Sequence, residues 1–192
     1  MLIDAPLRDL LAAFASPDPT PGGGSASAVA SAMGASLLLM VAALPKTRSN
    51  SDEDRAALAA ASSVLTGVRQ QLTESIDEDA AAYDRVVEAY KLPKGSEPEK
   101  SARTGAVQRA LRGATDVPLG VMRLSAAALA QAKTVAEHGN PSAASDVGVA
   151  EALLRAGLEG ARLNVEINLG SVKDQAYVEA VRGELSELRN VS

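Results

Sequence analysis

Between Gly22 and Leu44 the chain carries no charged residue, and no other feature restricts its fold as much. The stretch opens on Gly22, Gly23 and Gly24, continues through serines and alanines, and ends in a run of leucines before Pro45. It approaches the ~20 residues a helix needs to span a bilayer. Its first half is rich in Ser and Ala, it has no aromatic belt, and small residues recur at Ala28, Ala32, Ala35 and Ser36. That three- and four-residue spacing marks one face of a helix. A central helix crowded on all sides is therefore expected, and no membrane span.

Hydrophobic residues make up 46% of the 192 residues but aromatics only 2%, so the core has to be built from Ala, Leu and Val. Ala and Leu favour helices, whereas strands favour β-branched and aromatic side chains. Helices whose backbones approach closely, in a single domain over residues 1–192, are expected. The net charge of −5 and a pI near 5.0 argue against nucleic-acid binding, which needs a basic stripe to displace counterions from phosphates. The absence of cysteine excludes disulfides, thiolate nucleophiles and cysteine-based metal sites. With one histidine and no carboxylate cluster at ligand spacing, no metal site is expected. Met1 to Pro6 shows no basic segment leading into an apolar run, so the cytoplasm is the expected compartment.

Breakers divide the chain into helical stretches. One runs from about Pro6 to Ala15, and the charge-free one ends at Pro45. After the loop Lys46 to Ser51, Ser51 is a candidate N-cap for a helix entered through Asp52, Glu53 and Asp54. It continues to about Tyr90, with a possible break near Thr73. Leu92 to Pro98 reads as a loop. The next stretch, about Glu99 to Glu137, contains Pro118, which should kink or divide it. Gly139-Asn140-Pro141 ends it; helices over about Ser142 to Asn168 and Lys173 to Leu188 follow.

Three constellations are candidates for chemistry. Pro19-Thr20-Pro21-Gly22-Gly23-Gly24-Ser25 opens a helix, where free amides favour an anion; the plain alternative is a tight turn with Ser25 as N-cap. Asp79 shares a helix face with Ile76, Tyr83, Val86 and Tyr90, so its carboxylate points with the apolar stripe, while Asp77 and Glu78 point elsewhere. A carboxylate turned inward is costly unless paired, hydrogen-bonded or protonated, which makes it a candidate acid or base or else a buried structural partner. Asn140, Ser145 and Asp146 lie at the start of a helix whose inner face is expected to continue through Val149, Leu153, Gly157 and Gly160 to Asn164 and Asn168. Asp146 and Asn164 are five turns apart, about 27 Å, and cannot share a site within one chain. The two asparagines are expected to make cross-helix hydrogen bonds. His138, just before Gly139, reads as a structural cation at a helix end.

Pro-Thr-Pro-Gly-Gly-Gly-Ser at 19–25, Asp-Glu-Asp-Ala at 77–80 with Tyr83, Ala-Tyr-Lys-Leu-Pro-Lys at 89–94, Ala-Thr-Asp-Val-Pro-Leu at 114–119 and Ser-Asp-Val-Gly-Val-Ala at 145–150 resemble, in order and spacing, the formiminotetrahydrofolate cyclodeaminase and methenyltetrahydrofolate cyclohydrolase family. The resemblance implies an all-α array of long antiparallel helices, a homodimer, and a tetrahydrofolate derivative bound as substrate near the subunit interface. It also implies chemistry at a carbon between two nitrogens, which needs a base, an acid and an anionic surrounding for the cationic methenyl form. Asp79 and Asp146 are the candidate catalytic residues. Pro21, Gly22, Gly23, Gly24, Ser25, Asn140 and Ser145 are candidates for holding substrate, with Lys46, Arg48 and Lys94 for the carboxylates of its glutamate tail. The loop Pro45-Lys46-Thr47-Arg48 departs from the Gly-Lys-Lys of members fused to a formiminotransferase, so the cyclohydrolase reaction is expected ahead of the cyclodeaminase, and both ahead of a non-catalytic folate-binding relative.

Overall fold

Helix formation follows the breakers closely. In the computed structural model, which describes residues 1–189, the described residues form six α-helices and no strand. They are α1 (Leu7–Phe14), α2 (Gly23–Ala42), α3 (Asp52–Lys91), α4 (Glu97–His138), α5 (Ala144–Leu169) and α6 (Gln175–Arg189), with short 3-10 turns at Leu2–Asp4 and Pro141–Ala143. At 1.5 Å per residue α3 and α4 are each about 60 Å long. Helices α2 to α5 pack as a four-helix bundle, each against the next and α5 closing on α2, while α6 lies against α4. Short connections make sequential neighbours antiparallel.

Caps set the helix starts. The Ser51 hydroxyl accepts the Asp54 N–H at 3.1 Å, as its sequence position predicts. Ser96 and Glu99 form a reciprocal capping box, which carries α4 back over Pro98 and shortens the expected loop. Proline is tolerated there because first-turn amides have no helical acceptor. Two expected interruptions are absent: α3 runs unbroken through Thr73, and α4 runs as one helix through the buried Pro118. Pro118 cannot donate to the Ala114 carbonyl, and the Asn168 side-chain amide of α5 donates there instead, at 2.8 Å.

Small residues let α2 and α5 approach. A Cβ built at Gly157 or Gly160 would overlap Ser31 or Ser27, and one at Gly34 would lie 2.7 Å from the Ala150 carbonyl oxygen. Between α2 and α4 the Ser31 and Ser125 hydroxyls bond at 2.7 Å; because Ser125 donates to the Val121 carbonyl, Ser31 is the donor. Ala28, Ala35 and Leu38 of α2 are fully buried. The helix is nevertheless not crowded on all sides, since Met33 is 53% and Met40 41% exposed. At its start the inner face of α5 is rotated from the expected one, with Val147, Ala150 and Leu154 buried and Val149 exposed, whereas Gly157 and Gly160 face α2 as expected. Helix α2 thus shows an uncharged face to its surroundings, and by length and composition it remains apolar enough to cross a membrane.

Candidate functional site

The glycine-rich loop meets α3 and α5 at the start of α2. The Thr20–Pro21 peptide is cis, and Gly22, the N-cap of α2, offers no side chain to the helix amides. Ser25 is not the cap. It lies inside the first turn, and the missing acceptor comes from Asp79 on α3. Asp79 Oδ2 accepts the Ser25 N–H at 2.8 Å and the Ser25 hydroxyl at 3.0 Å, and that hydroxyl also donates to the Ile76 carbonyl at 3.0 Å. A Cβ at Gly24 would overlap Asp79 Oδ1, so only glycine lets the carboxylate dock this closely. A Cβ at Gly23 would come 3.2 Å from Asn164 Nδ2. Asn164 bonds the Gly160 carbonyl of its own helix at 2.8 Å; it does not make the expected cross-helix bond, which only Asn168 makes.

The electrostatics of this corner differ from those of a salt bridge. Among the described residues no ion pair reaches Asp79; burial pushes its carboxyl up, and the two Ser25 bonds pull in the opposite direction. Oδ1 accepts no hydrogen bond from the described residues, and the Gly23 and Gly24 amides find no acceptor among them. A half-buried carboxyl with one oxygen held and one unoccupied, beside unsatisfied amides, can exchange a proton with a ligand. Tyr83, one turn beyond, is exposed at the rim. An apolar groove of about 500 Å³ begins one turn from these residues, at Val29 and Ile76, and is closed by Leu2, Leu10, Met33 and Leu37. It has the size and lining of a small-molecule pocket. Its only trace in the sequence is the uncharged outer face of α2.

A second polar group lies at the other end of the bundle. Asp54, almost fully buried, gathers the loop after α2: its Oδ2 accepts the Ser49 N–H and hydroxyl, both at 2.7 Å, and the Thr47 hydroxyl at 2.9 Å. Its Oδ1 faces His138 Nδ1 at 2.9 Å. The Ser49 amide first, then His138 and the hydroxyls, hold the Asp54 carboxyl well below the usual carboxylate range. Nothing in the sequence separates Asp54 from an ordinary acidic helix start. Arg48 donates through its backbone to the His138 carbonyl at 2.9 Å and through its side chain to the Ala136 carbonyl at 3.0 Å. With Asn140, Gly148 and Glu151 it lines a cleft of about 270 Å³.

The sequence-derived candidates therefore fall into separate groups. Pro21 to Ser25 and Asp79 are together. Arg48 and Asn140 are together, with Ser145 and Asp146 on the adjoining first turn of α5 and Lys46 exposed on the loop before α3. Asp146 is half-buried and, at 100° per residue, sits on the side of α5 away from Gly148 and Glu151. Lys94 is exposed in the α3–α4 connection, beyond both groups. Because Asn164 marks the Asp79 end of α5, the Asp79 and Asp146 groups are about 27 Å apart along one chain.

Comparisons with known proteins bear on the family and the fold. The methenyltetrahydrofolate cyclohydrolase of Methylorubrum extorquens is 43% identical over 122 residues, 64% of this chain and 59% of that protein. The formimidoyltransferase-cyclodeaminase of Sus scrofa is 38% identical over 118 residues, 62% of this chain and 22% of that protein. The match thus spans less than two thirds of either relative's length. The crystal structure of formiminotetrahydrofolate cyclodeaminase from Thermotoga maritima superposes with a TM-score of 0.88 at 28% identity, covering all of this chain and 91% of that one. The sequence model of the formiminotransferase-cyclodeaminase family matches residues 6–187. This all-helical chain, with its glycine loop docked on Asp79, belongs to the formiminotransferase-cyclodeaminase family.

Proposed function

We propose that the protein is a cytoplasmic, homodimeric folate enzyme that hydrolyses methenyltetrahydrofolate to formyltetrahydrofolate. The observation that carries this reading is the Asp79 carboxyl, raised by burial and anchored through one oxygen, one helical turn from the apolar groove that begins at Ile76. The groove suits the aromatic parts of a folate. In the proposed reaction water adds to the methenyl carbon and gives a proton to a carboxylate. One carbon–nitrogen bond of the tetrahedral intermediate then breaks as its nitrogen takes a proton, and the released product retains the water oxygen as formyl. A positioned acid or base of this kind supplies roughly 10²–10⁴-fold in rate. The 43% identity to a methenyltetrahydrofolate cyclohydrolase supports this reaction.

A second reading, cyclisation of formiminotetrahydrofolate with loss of ammonia, is favoured by the Thermotoga neighbour and the pig relative. It uses the same tetrahedral carbon with ammonia as the leaving group. Asp146 serves either reaction as the second carboxylate only if a second copy supplies it. A two-fold axis across the open α2–α5 face, perpendicular to the helices, sets Asp146 of one copy toward the glycine loop of the other. Lys46 is the candidate for the glutamate tail nearest that end.

The test follows methenyltetrahydrofolate absorbance with purified protein beside an ammonia assay on formiminotetrahydrofolate. Loss of methenyl absorbance above the spontaneous rate, abolished in Asp79→Asn, supports the cyclohydrolase, and ammonia release moves the assignment to the cyclodeaminase. Neither rate, with folate still bound, sinks both. Mixing inactive Asp79→Asn and Asp146→Asn chains should restore up to about a quarter of the activity if sites are shared across a dimer.

A further inference from the structure

Ser25 stands in the glycine-rich motif, where its sequence position suggests contact with a ligand. The structure gives it a different task. Ser25 is fully buried, so no ligand in the groove reaches its hydroxyl. Both of its polar hydrogens are directed at α3: the backbone N–H and the hydroxyl converge on Asp79 Oδ2, with the hydroxyl shared with the Ile76 carbonyl. The opposite oxygen, Oδ1, is left against Gly24, where the missing side chain keeps it unobstructed.

We propose that Ser25 is a positioning residue for Asp79, a two-point clamp that fixes one carboxylate oxygen at the start of α2 and presents the other to the substrate. The inference rests on the reading of Asp79 as the base that takes the proton from the adding water. Two donors from one residue fix the carboxylate's rotation as well as its place, which a single bond does not. They also favour the ionised form, opposing the burial that disfavours it. Among the described residues no cation is paired with Asp79. Helix α2 is uncharged, the α5 side chain at the same loop is the neutral Asn164, and the titratable neighbours on α3 are Asp77, Glu78 and Tyr83. Of these, Asp77 is engaged by the Leu2 N–H.

The experiment measures kcat/KM for methenyltetrahydrofolate against pH in the full chain and in Ser25→Ala, Ser25→Cys and Asp79→Asn. Ser25→Ala should lose about tenfold or more at the acid end, the usual effect of removing a bond to a charged group. Its acid limb should move to higher pH, because a less supported carboxylate takes up its proton sooner. Ser25→Cys, with a weaker donor of similar size and the amide retained, should fall between, and it carries the test if Ser25→Ala does not fold. An unmoved limb in both Ser25 variants, with or without a uniform loss of rate, overturns the inference while leaving Asp79 catalytic. A rise in KM alone, with the limb unmoved, would make Ser25 a substrate contact and also overturn it. If Asp79→Asn turns over at the wild-type rate, it is the catalytic reading of Asp79 that has failed.

Discussion

Asn168 on α5 donates its side-chain amide to the Ala114 carbonyl on α4, the acceptor that Pro118 leaves without a helical donor. The proline and the asparagine are therefore one structural unit, although 50 positions separate them in sequence. Asn168→Ala should cost about 1–3 kcal/mol, because it leaves a part-buried carbonyl unpaired. In Pro118→Ala the helix supplies its own N–H, so the same asparagine substitution should cost less there. Chemical denaturation of the wild type, both single variants and the double variant measures the coupling. Additive costs would dissolve the unit.

That pairing also marks the limit of what the sequence discloses. Local chemistry is legible: Ser51, the Gly139-Asn140-Pro141 break and the Ala-rich composition place helix ends and close packing correctly. Non-local compensation is not. Pro118 reads as a break because its rescuer lies on another helix, and Ser25 reads as a cap because the true cap, Asp79, arrives from α3. The Asp79 face is recognisable by spacing, yet the docking of its carboxylate needs Gly24, whose role depends on an approach that no periodicity reports. Val149 was expected inside and Val147 was not. At its start α5 has small and apolar residues on several sides, which offers two nearly equivalent apolar faces, and only contact with α2 chooses between them.

The Gly24–Asp79 contact makes a separable prediction. Gly24→Ala puts a methyl group into the carboxylate and should cost about 1–3 kcal/mol, as overpacking does. Removing the obstacle in Gly24→Ala/Asp79→Ala should return part of the stability, while methenyltetrahydrofolate turnover stays lost. Thermal melts and activity read together check this. Recovery of both would show that Asp79 acts only as a steric and capping partner.

Asp54 sets an acid limit on the loop that carries Lys46 and Arg48. Its folded-state carboxyl lies far below the ordinary value of 3.8, so its stabilisation is complete above that pH and is lost as pH falls beneath it. Wild-type stability should therefore decline below about pH 4 more steeply than that of Asp54→Asn, which should be less stable at neutral pH and flatter in acid. Urea unfolding across the acid range provides the comparison. Parallel curves would mean that the Ser49, Thr47 and His138 bonds do not distinguish the charged form.

The outer face of α2 and α5 decides between two environments. Met33, Met40, Val149, Leu163 and Ile167 are all more than 40% exposed, and α2 contributes no charge to offset them. Exposed apolar surface on this scale marks a partner surface or a membrane. The glycines and serines of α2 already pack on α5, and Ala28, Ala35 and Leu38 are fully enclosed, so inserting the helix into a bilayer would dismantle the core. In the proposed homodimer a second copy would cover the face without that cost. Wild-type protein should sediment as a dimer and not associate with neutral phosphatidylcholine vesicles. Ile167→Glu should shift it to monomer, because a two-fold axis repeats the introduced charge and like charges brought together cost several kcal/mol. If the site is shared between copies, turnover should fall with the dimer fraction and recover at high protein concentration. A monomeric wild type with full activity would refute both the dimer and the shared site.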